Sequence, residues 1–119
     1  MTSLGVMVSR AAVRKQTTIN ATRDHHGHDY VIEVWISGPL DSAGMVVDLS
    51  EVTKVVKEYH GQNLGRITLE NFAGLVLSRI ENLCQSGPAV VTVTVHETDY
   101  SSVTVTEYIH RETADEKQR

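Results

Sequence analysis

Two stretches of strict alternation constrain this chain most. In Ala89-Val90-Val91-Thr92-Val93-Thr94-Val95-His96-Glu97, positions Val91, Val93 and Val95 share one side. Val103-Thr104-Val105-Thr106-Glu107-Tyr108-Ile109 repeats the pattern. A period of two places alternate side chains on opposite faces of an extended segment. Such segments predict strands of a sheet with one face buried. Tyr30-Val31-Ile32-Glu33-Val34-Trp35-Ile36 predicts a further strand over 26–37, with Tyr30, Ile32, Val34 and Ile36 on one face. Leu4, Val6 and Val8 share a face in a first strand over 1–13, and the polar run 14–25 reads as a loop.

The middle of the chain changes period. Asp48 or Ser50 caps a helix running to about Tyr59, with Leu49, Val52, Val55, Val56 and Tyr59 as its apolar stripe. Thr68 is the N-cap of a second helix carrying Phe72, Leu75, Val76, Ile80 and Leu83, to about Cys84, with Gly87-Pro88 as its stop. The order strand-strand-helix-helix-strand-strand predicts an α+β fold, an antiparallel four-stranded sheet with both helices on one face. The edges of such a sheet need partners, and oligomerisation into a larger barrel supplies them.

The 119 residues suit one domain over 1–110, followed by a charged tail, 111–119. A net charge of −4 disfavours a nucleic-acid backbone as partner. No apolar run reaches the roughly 20 residues that span a membrane, and no signal peptide is apparent. The single Cys84 forms no internal disulfide and suits a reducing cytoplasm. Aromatics are only 5%, so the core must be built from Val, Ile and Leu.

Chemistry concentrates in three places. His26 and His28, two apart, fall on one face of an extended segment and make half of a tetrahedral metal site; surface histidines in a polar turn would look the same. Glu97 ends the valine face of its strand. It is either a rim carboxylate in water or a pocket carboxylate that needs a donor, such as the planar N–H/NH2 edge of a ligand. His60, beside Gly61, suits general acid–base work or a helix C-terminus.

These residues together resemble a family. His26-Gly27-His28-Asp29-Tyr30 is similar to the His-Gly-His-Asn-Tyr of the 6-pyruvoyl-tetrahydropterin and 6-carboxy-tetrahydropterin synthases, which share the T-fold. Gly38-Pro39-Leu40-Asp41 with Gly44-Met45-Val46-Val47-Asp48-Leu49, and Thr68-Leu69-Glu70-Asn71-Phe72-Ala73, follow the family's order. Glu97-Thr98 lies where the family anchors its pterin. The resemblance covers about residues 3 to 110. It implies a homo-oligomer, trimer or hexamer, with active sites between subunits.

The departures are specific. Val13 stands where the resemblance expects a third zinc histidine, so zinc at His26 and His28 would need His25 or Asp24 to complete it. The slots for the catalytic cysteine hold Asn20, Thr22 and Arg23, with Asp24 the nearby carboxylate. Tyr59-His60 replaces an Asp-His dyad. The resemblance thus leaves His60, Asp24 and Tyr59 as the catalytic set and Glu97, Thr68 and Glu70 as substrate contacts. The expected function is a lyase or cyclase acting on a polar cyclic small molecule in specialised metabolism, without zinc. The alternatives are a relative that binds a ligand without turnover, and a zinc-dependent synthase in which His25 completes the metal site.

Overall fold

The computed structural model describes residues 8–20, 27–62, 64–65, 67–84 and 88–109. Strand β1 (Val8–Asn20) and strand β2 (Gly27–Pro39) form a long hairpin, followed by helices α1 (Leu49–Glu58) and α2 (Leu69–Glu81), then β3 (Ala89–His96) and β4 (Ser102–Ile109). The sheet is antiparallel throughout, in the order β1-β2-β3-β4. This is the α+β architecture expected from the alternation. Residues 1–7 and the tail lie outside the described residues.

One expectation fails at the start. The polar run after Val13 is strand as far as Asn20, not loop, pairing from Gln16 opposite Val31 to Asn20 opposite Gly27. Its side-chain pattern carries no periodic signal. The backbone ladder to β2 is what makes it extended, helped by β-branched Thr17, Thr18 and Ile19.

One face of the sheet is sealed. Ile32, Val34, Val91, Val93 and Val95 are wholly buried beneath the helices, with Val52 and Val56 of α1 and Phe72, Val76 and Ile80 of α2. Burying each such side chain is worth about 1.5–3 kcal/mol. The helix α1 packs on β1, and α2 packs on β3 and β4. The predicted stripes are mostly buried, except Leu49 and Leu75, which are exposed.

The helix ends follow local chemistry. Asp48, not Ser50, caps α1: its carboxylate accepts from the Ser50 backbone N–H at 2.9 Å and from the Ser50 hydroxyl at 2.6 Å. Thr68 caps α2, its hydroxyl accepting from Asn71 N–H at 3.0 Å. The helix α2 stops at Glu81 with Asn82 as C-cap, short of Cys84.

The other face of the sheet carries no helix among the described residues. By register, Arg14 of β1 lies opposite Glu33 of β2, and Val31 lies opposite His96 of β3. Trp35 and Thr92 pair on the same face.

Candidate active site at the ends of β2 and β3

Glu97 follows His96, the last residue of β3, and opens the turn to β4. Its backbone N–H donates to Ser101 O at 2.9 Å, and the Thr98 N–H donates to the same oxygen at 3.3 Å. The turn therefore holds the carboxylate at the end of the sheet, where it is exposed. Beneath it Tyr30 is buried, edge-on to Phe72 with ring centroids 6.0 Å apart. Burial, and then the negative charge of Glu97, push the Tyr30 phenol above its ordinary value.

A cavity of about 350 Å³ opens here. Glu97, Thr98 and Asp99 of the turn form one wall; Asp29 and Val31 of β2, His96 of β3 and Arg14 of β1 form the rest. Its volume lies within the range that holds small ligands. A second concavity, about 510 Å³, runs along α1 past Lys54 and Lys57, and its lining includes none of the residues expected to carry chemistry.

The remaining candidates are distributed. His60 is exposed in the turn after α1, its N–H donating to Lys57 O at 3.0 Å. Tyr59 is buried in the core: its ring meets Phe72 edge-on at 5.4 Å, and the Arg79 guanidinium lies 5.3 Å from its centroid. Arg79 also pairs with Glu58, tying α2 to the end of α1. Thr68 spends its hydroxyl on the helix cap, and Glu70 is exposed in the first turn of α2, where a carboxylate complements the helix dipole. Asp24, His25 and His26 lie outside the described residues. His28 is placed by its backbone, opposite Ile19.

The zinc expectation meets a donor test. Among the described residues no group of three His, Cys, Asp or Glu side chains could hold a metal ion. Val13, at the position of the expected third ligand, is a half-buried hydrocarbon packed against the core. The described residues do not compose a zinc site. Cys84 is buried at 2% exposure, its thiol 3.6 Å from Ile80 O, so the one cysteine offers no accessible thiolate.

The sequence did not single out a second cluster, on the helix-free face. Glu33, with its side chain 18% exposed, has two hydrogen-bond partners and one ion pair. His96 Nε2 lies 2.7 Å from Oε1, Trp35 Nε1–H donates to Oε2 at 3.2 Å, and Arg14 Nη1 is 3.6 Å from Oε1. Burial works to raise the Glu33 pKa, but the bonds from Trp35 and His96 and the charges of His96 and Arg14 outweigh it and hold the carboxyl below its ordinary value. The signal for this cluster is the strand register: Glu33 and His96 become neighbours only once Val31 is set opposite His96.

Comparisons with known proteins agree with the geometry. The sequence profile described as 6-pyruvoyl tetrahydropterin synthase matches residues 9–108. No curated protein sequence matches the chain. Among solved structures, 6-pyruvoyltetrahydropterin synthase from Plasmodium vivax is similar at 15% identity, with a TM-score of 0.61 over 87% of this chain and 99% of that one. The Caenorhabditis elegans synthase is similar at 19% identity, with a TM-score of 0.58 over 90% and 99%. At such identities these likenesses speak for the fold.

Proposed function

Since the chain belongs to the 6-pyruvoyl tetrahydropterin synthase family, we propose that it is a pterin-synthase-like lyase or cyclase acting on a polar cyclic small molecule anchored by Glu97. The observation that carries this reading is the placement of Glu97. Its turn fixes it at the mouth of the 350 Å³ cavity, and the charge it brings is felt by buried Tyr30. A carboxylate so placed accepts the adjacent N–H and NH2 of a planar heterocycle in a bidentate pair. The acid–base part of this reading draws on the described residues, where Cys84 is packed away and Val13 offers no ligand atom. The outer edges of β1 and β4 support assembly into a homo-oligomer, and a single free cysteine suits the reducing cytoplasm.

The test is binding of a simple pterin, followed by calorimetry on the full chain and on Glu97→Gln. Loss of one charge-assisted bidentate partner should weaken binding about 10- to 100-fold. Equal affinity in the two proteins would remove Glu97 as anchor. A second reading, a relative that binds its ligand without turnover, draws on the burial of Cys84. Conversion of a bound ligand by the unmodified protein would exclude it.

A further inference from the structure

We propose that His96 is a general base of this site and that Glu33 is its positioning residue. Together they form an imidazole–carboxylate dyad on the face of the sheet opposite the helices. The inference rests on the reading of Glu97 as ligand anchor.

Three observations carry it. First, the two side chains are joined at 2.7 Å across β2 and β3, both only partly exposed, at 18% for Glu33 and 32% for His96. Second, Glu33 also accepts from Trp35 of its own strand and forms an ion pair with Arg14 of β1, so the carboxylate cannot swing away without losing both. An ionised carboxylate only accepts, so the ring nitrogen facing it must carry the proton. In the neutral ring this leaves Nδ1 as the basic nitrogen, with its tautomer fixed, which is the logic of an oriented catalytic histidine. Third, His96 and Glu97 are consecutive and line the same cavity. A ligand anchored on Glu97 is thereby brought beside the imidazole.

The step is a proton transfer. His96 Nδ1 takes a proton from a carbon next to a carbonyl of the anchored ligand. The C–H bond breaks, its electron pair moves to the carbonyl oxygen as an enolate, and an N–H bond forms. Glu33 stays ionised and faces the resulting imidazolium. Reversal returns the proton to carbon, so the cycle needs no oxidant or metal.

The experiment uses the full chain in D2O with a 6-acylpterin bearing hydrogens next to its ketone. Binding is followed by calorimetry and exchange by proton NMR. The wild type should bind the pterin and exchange those hydrogens for deuterium. His96→Gln should slow exchange about 100-fold or more with affinity little changed. Glu33→Gln should cost about tenfold or more, with partial rescue by Glu33→Asp. Independently, long-range ¹H–¹⁵N spectra of the wild type should show the neutral His96 ring protonated on Nε2, and Glu33→Gln should lose that preference. Binding without exchange, or exchange unchanged in His96→Gln, overturns the dyad and leaves the anchor standing. An Nδ1-protonated ring overturns the dyad whatever the pterin does. Absence of binding overturns the anchor, and with it the reaction assigned to the dyad.

Discussion

Glu33 and Trp35, two residues apart on one face of β2, are joined side chain to side chain, with the indole Nε1–H donating to Oε2 at 3.2 Å. Trp35 is the chain's only tryptophan, so its emission reports directly on the ionisation of Glu33. The folded-state pKa of Glu33 is lowered from 4.5. A depressed carboxyl contributes stability that is present above its unfolded value and is lost as pH falls through its folded value. Urea unfolding followed by Trp35 emission should therefore show stability declining below about pH 4.5, an onset set by that ordinary carboxyl value. Glu33→Gln should flatten part of that decline and cost about 1–2 kcal/mol at neutral pH, from the bonds weakened. An unchanged acid limb would mean that Trp35, His96 and Arg14 do not stabilise the carboxylate.

Thr68 separates a structural role from a ligand-binding one. Its hydroxyl accepts from Asn71 N–H at 3.0 Å and so closes the start of α2. Thr68→Ala should cost about 1 kcal/mol, while Thr68→Ser, which keeps the oxygen, should be nearly neutral. Denaturation midpoints measure this. If pterin affinity follows the loss of the hydroxyl while stability does not, the residue belongs to the site and not to the cap.

Glu107 of β4 and Glu81 of α2 work in the opposite sense to Glu33. A hydrogen bond from the protonated Glu107 carboxyl to Glu81, and then the Glu81 charge, raise the Glu107 pKa. A carboxyl raised in the folded state supplies stability below its unfolded value, and that stability is lost as pH rises through the folded value. Glu107→Gln should therefore raise the melting temperature at neutral pH and leave it little changed near pH 4, about the ordinary carboxylate value. Equal effects at both pH values would show that the two carboxyls do not share a proton.

The helix-facing side of the sheet could be read from Val91, Val93 and Val95, because alternation in a half-buried strand is the direct imprint of burial. Thr68 was equally plain, since a cap is a local device. The extension of β1 to Asn20 was not, because its conformation is imposed by a partner strand and not by its own side chains. The Glu33–His96 pair was hidden for a related reason. Its members are 63 residues apart, and only the register of β2 on β3 makes them neighbours. Tyr59 misled by position: it occupies the slot of a dyad member, yet its ring faces Phe72 in the core.

Tyr30 gives the most direct check on where Glu97 sits. The phenol is raised first by burial and second by the Glu97 charge. Glu97→Gln removes the charge and leaves the burial, so the Tyr30 pKa should fall part of the way back toward 10.0. Ultraviolet titration of tyrosinate, read as the difference from Tyr30→Phe, isolates this one phenol among the four. A shift confined to Tyr30 would place the Glu97 carboxylate close to the buried end of β2. An unmoved Tyr30 would turn Glu97 toward solvent, and the pocket would then have to hold its ligand through Asp29, Asp99 and Arg14.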